Sequence, residues 1–431
     1  MTAILDLRPL RLERSAATAS RPAPPALRDR LSGDVITPAD EAYEDARKVG
    51  NRAVDKYPAL IARPRTAADV AEAVTYARDH GLTVAVRSGG HSMRGQGTVD
   101  GGLVIDFSLM KEIVIDPEER VAWAQPGATW GEYGARAQEF GLITPAGDTT
   151  TVGVGGLTLG GGIGWLVRKY GLTIDSLLAV ELVTAEGEQI TASPEQNADL
   201  FWALRGGGGN FGVVTRFKFR LHPLGQIAGG AIFYPATADI LRDLAAKATA
   251  APEELSTINF IFQAPPLPFL PSDAHGMLIV MITACYAGDV EMGQRALAPL
   301  RSLAGQTPLA DLTGPMPYMG LYDFVAEGAK PPPHYVRSGY LHALDEQTID
   351  ATLQYGHTMT SPLEMIQIRF LGGEMARVPA EATAFAHRDK SIMYTIIGIW
   401  PEPENARPAR VAQHKAWVDS FWQAVAPRTD G

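Results

Sequence analysis

A histidine in a glycine-rich turn is the residue of this chain best suited to chemistry. Residues 84–92 read VAVRSGGHS, an apolar run followed by small residues around His91. Gly89 and Gly90 let the backbone approach a ligand closely and adopt positive φ. Successive N–H groups in such a turn can bind an anion, and Arg87 adds a fixed positive charge that suits phosphate. The segment therefore predicts an anion-binding turn that presents His91 as a nucleophile or a ligand.

Two further glycine-rich blocks follow along the chain. Residues 145–172 read PAGDTTTVGVGGLTLGGGIGWLVRKYGL, and residues 199–217 read DLFWALRGGGGNFGVVTRF. With three such blocks in this order, the sequence resembles the berberine-bridge-enzyme-like FAD-linked oxidases, which have a vanillyl-alcohol-oxidase-type (PCMH-type) FAD-binding domain. The resemblance is clear over residues 62–224 and weaker beyond them.

The resemblance implies a bound FAD and gives each block a place beside it. The first block would supply backbone donors to the pyrophosphate, the second would let the ribityl chain and ring approach closely, and the third would line the adenine side. The expected cofactor-binding residues are Arg87, Ser88, Gly89, Gly90, His91, Ser92, Asp148, Thr149, Val152, Gly153, Gly155, Gly156, Gly161, Gly164, Asn210, Gly212 and Val214.

In this family the position of His91 carries a covalent bond to the flavin 8α-methyl group. Many members add a second bond through a cysteine, but that position holds Thr149 here, and the only cysteine is Cys285 in the second half of the chain. The resemblance therefore implies FAD attached once, through His91. Val152 stands where the family controls oxygen access, and valine resembles the oxygen-using members. Leu157 replaces a histidine that is common in the branch.

The family covers the flavin with an antiparallel sheet that supplies a Tyr, Glu or Asp as catalytic base. The sequence does not choose among the candidates, each of which has packing or solvation as its alternative role. The expected catalytic residues, on or near predicted strands, are Tyr335, Gln367, Arg369 and Tyr394, with Tyr340 as a further candidate. Family members usually continue beyond the position of Gly431 and return to the FAD-binding domain, and we expect that return to be absent here.

Composition argues against several other classes of protein. The net charge of −10 disfavours nucleic acid or an anionic membrane as a partner. No apolar run reaches the length of about 18 residues that a membrane span needs, and none follows the N-terminal arginines as in a secretory signal. The nine histidines show no H-x-x-x-H or H-x-H spacing, so we expect no metal site. We expect a cytoplasmic monomer or homodimer whose partners are a small-molecule substrate and O2.

The elements that would position these residues predict an α+β fold. Residues 1–35 are expected to form a loosely ordered segment, residues 36–225 a two-subdomain FAD-binding domain, and residues 226–431 a substrate-binding domain. The substrate-binding domain is expected to hold a mostly antiparallel sheet covered by helices. Its strands are predicted over 231–234, 257–263, 278–286, 365–371 and 391–400, and its helices over 240–250, 290–303 and 409–425.

These inferences predict an FAD-dependent oxidase. Hydride would pass from an alcohol, an amine or a ring C–H to flavin N5, and O2 would take the electrons and yield H2O2. A flavin-dependent oxygenase or dehydrogenase on the same fold is one alternative, which peroxide yield distinguishes. A flavoprotein that sequesters a small molecule without turnover is another, which would show no flavin bleaching.

Overall fold

The computed structural model describes residues 27–325 and 332–430. These residues fold into three β-sheets, a two-stranded ribbon and the helices between them. The strands are β1 (Asp34–Ile36), β2 (Leu60–Arg63), β3 (Val84–Arg87), β4 (Leu103–Asp106), β5 (Ile113–Asp116), β6 (Val121–Ala124), β7 (Leu142–Ile143), β8 (Leu177–Val183), β9 (Gln189–Ala192), β10 (Val213–Arg220), β11 (His222–Pro223), β12 (Gln226–Pro235), β13 (Leu255–Gln263), β14 (Leu278–Tyr286), β15 (Ala310–Asp311), β16 (Gly314–Pro317), β17 (His334–Leu341), β18 (Met365–Phe370), β19 (Ile392–Ile399) and β20 (Thr429–Asp430). The α-helices are α1 (Tyr43–Ala46), α2 (Ala67–Asp79), α3 (Trp130–Gln138), α4 (Val154–Leu159), α5 (Val167–Tyr170), α6 (Ala198–Leu204), α7 (Ala238–Ala250), α8 (Val290–Leu297), α9 (Glu346–Gly356), α10 (Glu374–Arg377) and α11 (Pro408–Val425).

The first sheet has the order β1-β2-β4-β3, with β4 parallel to both β2 and β3. Helix α2 covers it and begins at a capping box, in which Thr66 Oγ1 accepts a hydrogen bond from the Asp69 N–H at 3.1 Å. Leu27 and Leu31 are buried against this helix. The expectation of a loose segment up to residue 35 is therefore wrong for residues 27–35, and residues 1–26 lie outside the described part of the chain.

The second sheet is fully antiparallel, in the order β5-β6-β10-β8-β9. Helix α3 packs its Trp130 and Tyr133 onto this sheet, against Phe219 of β10. Gly153 is the N-cap residue of helix α4. The second glycine block therefore contains the N-terminus of a helix that packs beside this core.

The third sheet is the largest, with the path β15-β12-β14-β13-β18-β19-β17-β20 and with β16 on β12. Every pairing in it is antiparallel, as the sequence predicted. Helices α7, α9 and α11 bury apolar side chains against one face. The other face packs against Trp165 and Leu166 of the preceding part of the chain. Strand β17 and helix α9 were not among the elements predicted from the sequence.

Within the described residues, no helix is long and apolar enough to cross a membrane. The same residues bring no three His, Cys, Asp or Glu side chains together as a metal site.

Candidate active site

The His91 turn and the second glycine block meet backbone to backbone. A Cβ on Gly89 would lie 2.3 Å from the nitrogen of Gly153, and a Cβ on Gly153 would lie 2.0 Å from Ser88 Oγ. Ser88 Oγ also accepts a hydrogen bond from the Gly155 N–H at 3.2 Å and donates one to the carbonyl of Pro126. The two blocks thus form one continuous surface, and only glycine fits where they touch.

The turn itself offers unpaired donors to a ligand. Within the part of the chain that the structure describes, the N–H groups of Gly89, Gly90, His91 and Ser92 donate no backbone hydrogen bond. Gly90 has φ of +74°, a conformation that favours glycine. Free N–H groups in such a turn suit an anion, so the residues present fit the pyrophosphate of FAD.

Arg87 is held inside the protein by a carboxylate and two carbonyl groups. Its guanidinium donates to Asp106 Oδ2 at 2.9 Å, to the carbonyl of Ala46 at 2.6 Å and to that of Lys48 at 3.2 Å. Burial raises the pKa of Asp106, but Arg87 and Arg63 outweigh it and hold that pKa below its ordinary value. Asp106 binds Arg63 at 3.0 Å as well as Arg87, so the three side chains together keep a positive charge. Arg87 anchors the turn and also lines the cleft beside it, and its contact with phosphate stays a prediction.

A cleft of about 240 Å³ lies against this anchor. Its lining combines the backbone of Gly89 and Gly90 with the charged groups Lys48, Arg63 and Asp106. Pockets for drug-sized ligands span about 300–1,000 Å³. The cleft is thus large enough for part of a dinucleotide and too small for all of it.

The glycines of the second block do not all face open space. A Cβ on Gly156 would meet nothing within 4 Å, which leaves room for a ligand. A Cβ on Gly161 would lie 2.7 Å from the ring of Phe385, and one on Gly164 would lie 1.8 Å from the carbonyl oxygen of Ala146. For Gly161 and Gly164, close packing within the protein therefore requires glycine, and their approach to the flavin through the backbone stays a prediction.

In the third glycine block the loop is exposed and the strand that follows it is buried. Asn210 is exposed and donates to the carbonyl of Gly207 at 3.1 Å, and Gly212 has φ of +142° beside Val183. Val214 is buried in the core of the second sheet. Its side chain therefore cannot line the adenine side, as the sequence had suggested, and only its backbone remains available.

One row of the large sheet brings a phenol and a guanidinium to the face opposite the helices. In this row Tyr340 of β17 lies opposite Met393, Met393 opposite Arg369, and Arg369 opposite Ile258. Burial raises the pKa of Tyr340, and the charge of Arg369 opposes that rise. The Tyr340 ring stacks on His387 with centroids 4.6 Å apart.

Arg369 joins the large sheet to the second glycine block. It donates to Asp148 Oδ2 at 2.6 Å, to the carbonyl of Ile163 at 2.9 Å and to Gln367 Oε1 at 3.0 Å. Thr149 Oγ1 adds a hydrogen bond to Asp148 Oδ1 at 3.3 Å. The predicted residues Gln367, Arg369, Asp148 and Thr149 thus belong to one cluster at this junction.

Tyr335 and Tyr394 face the opposite way. The hydroxyl of Tyr335 donates to Asp419 of α11 at 3.2 Å, and that of Tyr394 lies 2.7 Å from Thr352 Oγ1 of α9. Successive side chains of a strand alternate between the two faces of a sheet. The expectation that Tyr335 and Tyr394 are catalytic is therefore wrong, because both hydroxyls are used on the helix-covered face.

Two residues of this region were missed in the sequence. Asn51 donates from Nδ2 to the carbonyl of Met93 at 2.9 Å and to that of His334 at 3.0 Å, and its Oδ1 accepts from the His334 N–H. It thereby holds the His91 turn against the first residue of β17. Neither residue lies in a glycine block, so no local pattern marked them.

Val152, the residue expected to control oxygen access, is partly buried against the core of the second sheet.

Comparison of the chain with known proteins shows the family to which it belongs. Residues 58–193 match the FAD binding domain model. An FAD-linked oxidoreductase of Dictyostelium discoideum is 31% identical over 389 residues, which cover 88% of this chain and 81% of the relative. The solved 6-hydroxy-D-nicotine oxidase of Arthrobacter nicotinovorans is 27% identical, with a TM-score of 0.76 over 91% of this chain and 86% of that one.

The fold has a further likeness in a BBE-like protein of Physcomitrella patens. Its structure superposes with a TM-score of 0.84 over 94% of this chain and 89% of that one, at 22% identity. The family model, the Dictyostelium relative and the two structures agree with the glycine blocks described above. The chain therefore belongs to the FAD-linked oxidoreductases, and it is an FAD-binding enzyme.

Proposed function

We propose that this oxidoreductase is an oxidase that removes hydride from a small-molecule alcohol, amine or ring carbon, with O2 as acceptor and H2O2 as product. The observation that carries the proposal is the contact of Arg369 with Asp148 and Ile163, which sets the polar row of the large sheet against the second glycine block. The name of the Arthrobacter relative, an oxidase, supports the choice of acceptor. Bound FAD would take two electrons from the substrate and pass them to O2.

The proposed cofactor contacts follow from the first two blocks. The free N–H groups of Gly89 and Gly90 would hold the pyrophosphate, and Gly156 would leave room for the ribityl chain. His91 would carry a single covalent bond to the flavin, because Thr149 cannot form the second one. Val152 would leave O2 a path to the ring.

The proposed substrate contacts come from the row of the large sheet. Apolar side chains such as Ile258 and Met393 would exclude water, while Arg369 and Gln367 would orient the polar group of the substrate. The phenolate oxygen of deprotonated Tyr340 would accept the proton of the substrate O–H or N–H as hydride leaves the neighbouring carbon. The charge of Arg369 would stabilise that phenolate before the transfer, because it opposes the effect of burial on the pKa of Tyr340.

An anaerobic screen tests the proposed reaction. Alcohols, amines and sugars are mixed with the full-length protein, and bleaching of the flavin absorbance reports reduction. Air is then admitted, and H2O2 is measured against substrate consumed. One peroxide per substrate is the expected result. Reduction without peroxide would indicate a dehydrogenase or an oxygenase, and no reduction by any compound would favour a sequestering protein.

Acid precipitation tests the proposed covalent bond. The wild-type pellet should stay yellow, and His91→Ala should release all of its flavin while still folding. Thr149→Ala is the matched control, because it lies beside the same cofactor surface and should keep the flavin attached. A colourless wild-type pellet would refute the bond, and a yellow His91→Ala pellet would move it to another residue.

A further inference from the structure

A second histidine lies at the His91 turn with an unused nitrogen. His334 is the first residue of β17, and only 8% of it is exposed. Its Nδ1 lies 2.9 Å from the carbonyl oxygen of Pro332, while its Nε2 is buried and has no hydrogen-bond partner among the described residues. A carbonyl only accepts hydrogen bonds, so Nδ1 carries the proton and Nε2 carries a lone pair. Buried polar atoms are nearly always paired, so this one calls for an explanation.

Hydrogen bonds from residues 50 and 51 attach the His91 turn to the backbone of His334. The Gly50 N–H donates to the carbonyl of Gly90 at 3.0 Å, and the Asn51 side chain binds both Met93 and the backbone of His334. Residues 50–51 therefore bracket the turn on both sides of His91 and attach it to the start of β17. The two imidazoles are near enough that His334, together with burial, lowers the pKa of His91.

Burial favours the neutral form of the His91 ring, because it lowers the pKa of that ring. Burial lowers the pKa of His334 as well, and the carbonyl of Pro332 only partly opposes it. A neutral His91 has one nitrogen with a lone pair and one with a proton. A neutral His334 has a free lone pair at Nε2. The pair is thus arranged as a nucleophile with a proton acceptor beside it.

We propose that His334 accepts the proton of His91 when His91 forms its covalent bond to FAD. The inference rests on the His91 attachment proposed above. One imidazole nitrogen of His91 bonds to the 8α-carbon, and the N–H proton on its other nitrogen passes to His334 Nε2. A C–H bond of the methyl group and the His91 N–H bond break, one C–N bond forms, and the methyl proton passes to solvent. The two electrons remain on the flavin ring until O2 removes them, with the two protons, as H2O2.

Covalent attachment over time is the test. Full-length protein from riboflavin-limited cells is mixed with FAD, and acid-stable flavin per protein is followed, together with the reversible binding of FAD. His334→Ala should bind FAD but attach it about 100-fold more slowly, the usual range for loss of a general base. Added imidazole should restore part of the rate, which a purely structural role of His334 would not predict.

Two further variants keep the result decisive. His334→Gln keeps a polar side chain but has no basic nitrogen, so it should bind FAD and attach it slowly even if the alanine variant folds poorly. His222→Ala removes another histidine, whose Nε2 lies 2.9 Å from Ser176 Oγ, and should attach FAD at the wild-type rate. Wild-type rates in both His334 variants would overturn the role of His334 alone. Absence of acid-stable flavin in the wild type would instead refute the His91 bond and this inference with it.

Discussion

Replacing Arg369 with methionine tests how much this side chain stabilises the contact between the large sheet and the second glycine block. The change keeps the apolar length of the side chain and removes its hydrogen bonds to Asp148, Ile163 and Gln367. Asp148 would then keep only Thr149 at 3.3 Å and Gln367 at 3.5 Å. A nearly buried carboxylate would therefore lose its counter-ion.

The expected cost follows from these contacts. Removing one partner of a buried ion pair costs about 3–5 kcal/mol. The side chains of Arg369 and Asp148 are 13% and 15% exposed, so solvent screens part of that loss. We expect the free energy of unfolding to fall by about 2–4 kcal/mol. The pKa of Tyr340 should rise at the same time, because the cation that opposes its rise is gone.

Arg337 supplies a matched control on β17, which is separated from the strand of Arg369 by β19. Its guanidinium binds Asp419 on the opposite face of the sheet, with side chains 40% and 41% exposed. An exposed pair of this kind contributes about 0–1 kcal/mol. Arg337→Met should therefore change stability little and leave flavin reduction unchanged.

Urea titrations followed by tryptophan fluorescence measure the stability of the three proteins, and anaerobic stopped-flow measures flavin reduction against pH. Arg369→Met should lose stability and reduce its flavin more slowly, with any alkaline rise in rate moved to higher pH. If Arg369→Met and Arg337→Met lower the free energy of unfolding equally, Arg369 does not stabilise the contact between the large sheet and the second glycine block. If only stability falls while reduction is unchanged, Arg369 does not act on the substrate side.

Three further changes have defined outcomes. Tyr340→Phe should slow anaerobic flavin reduction by about 100-fold and abolish its rise toward alkaline pH, whereas Tyr394→Phe should not, because its hydroxyl faces the helices. Val152→Leu should slow reoxidation far more than reduction in stopped-flow, since one added methylene can close a packed path, and equal effects on both would remove the gating role. Asp106→Asn should lower the free energy of unfolding at neutral pH by about 3–5 kcal/mol. Because the pKa of Asp106 is lowered in the folded protein, the difference from the wild type should shrink as pH falls through that pKa, which urea titrations at several pH values would detect.

Much of the fold could be predicted from local patterns. The capping box at Thr66 and the apolar runs of β4 and β14 are visible in the sequence because period and caps are local properties. The order of the strands in the sheets was beyond that approach, since pairings such as Arg369 with Ile258 join distant segments.

The candidate site was harder to predict because both faces of the large sheet are buried. Gln367 and Arg369 lie at the junction with the second glycine block, where their catalytic role stays a prediction, but Tyr335 and Tyr394 occupy the helix-covered face. Apolar residues lie on both sides of β19, so its sequence shows no alternation that would tell one face from the other. The ion pair of Arg87 with Asp106 was not predicted either, because the two residues lie on different strands.

The link from Asn51 to His334 also has a consequence for the order of events during synthesis. The two residues are 283 positions apart, and Arg369 and Asp148 are 221 apart. At about 5–20 residues per second, a ribosome needs roughly 15–60 s to add 283 residues. Throughout that interval the His91 turn exists without β17 beside it. Contacts between residues so far apart in the sequence form late in folding. FAD can therefore bind to the complete site only after the large sheet has formed.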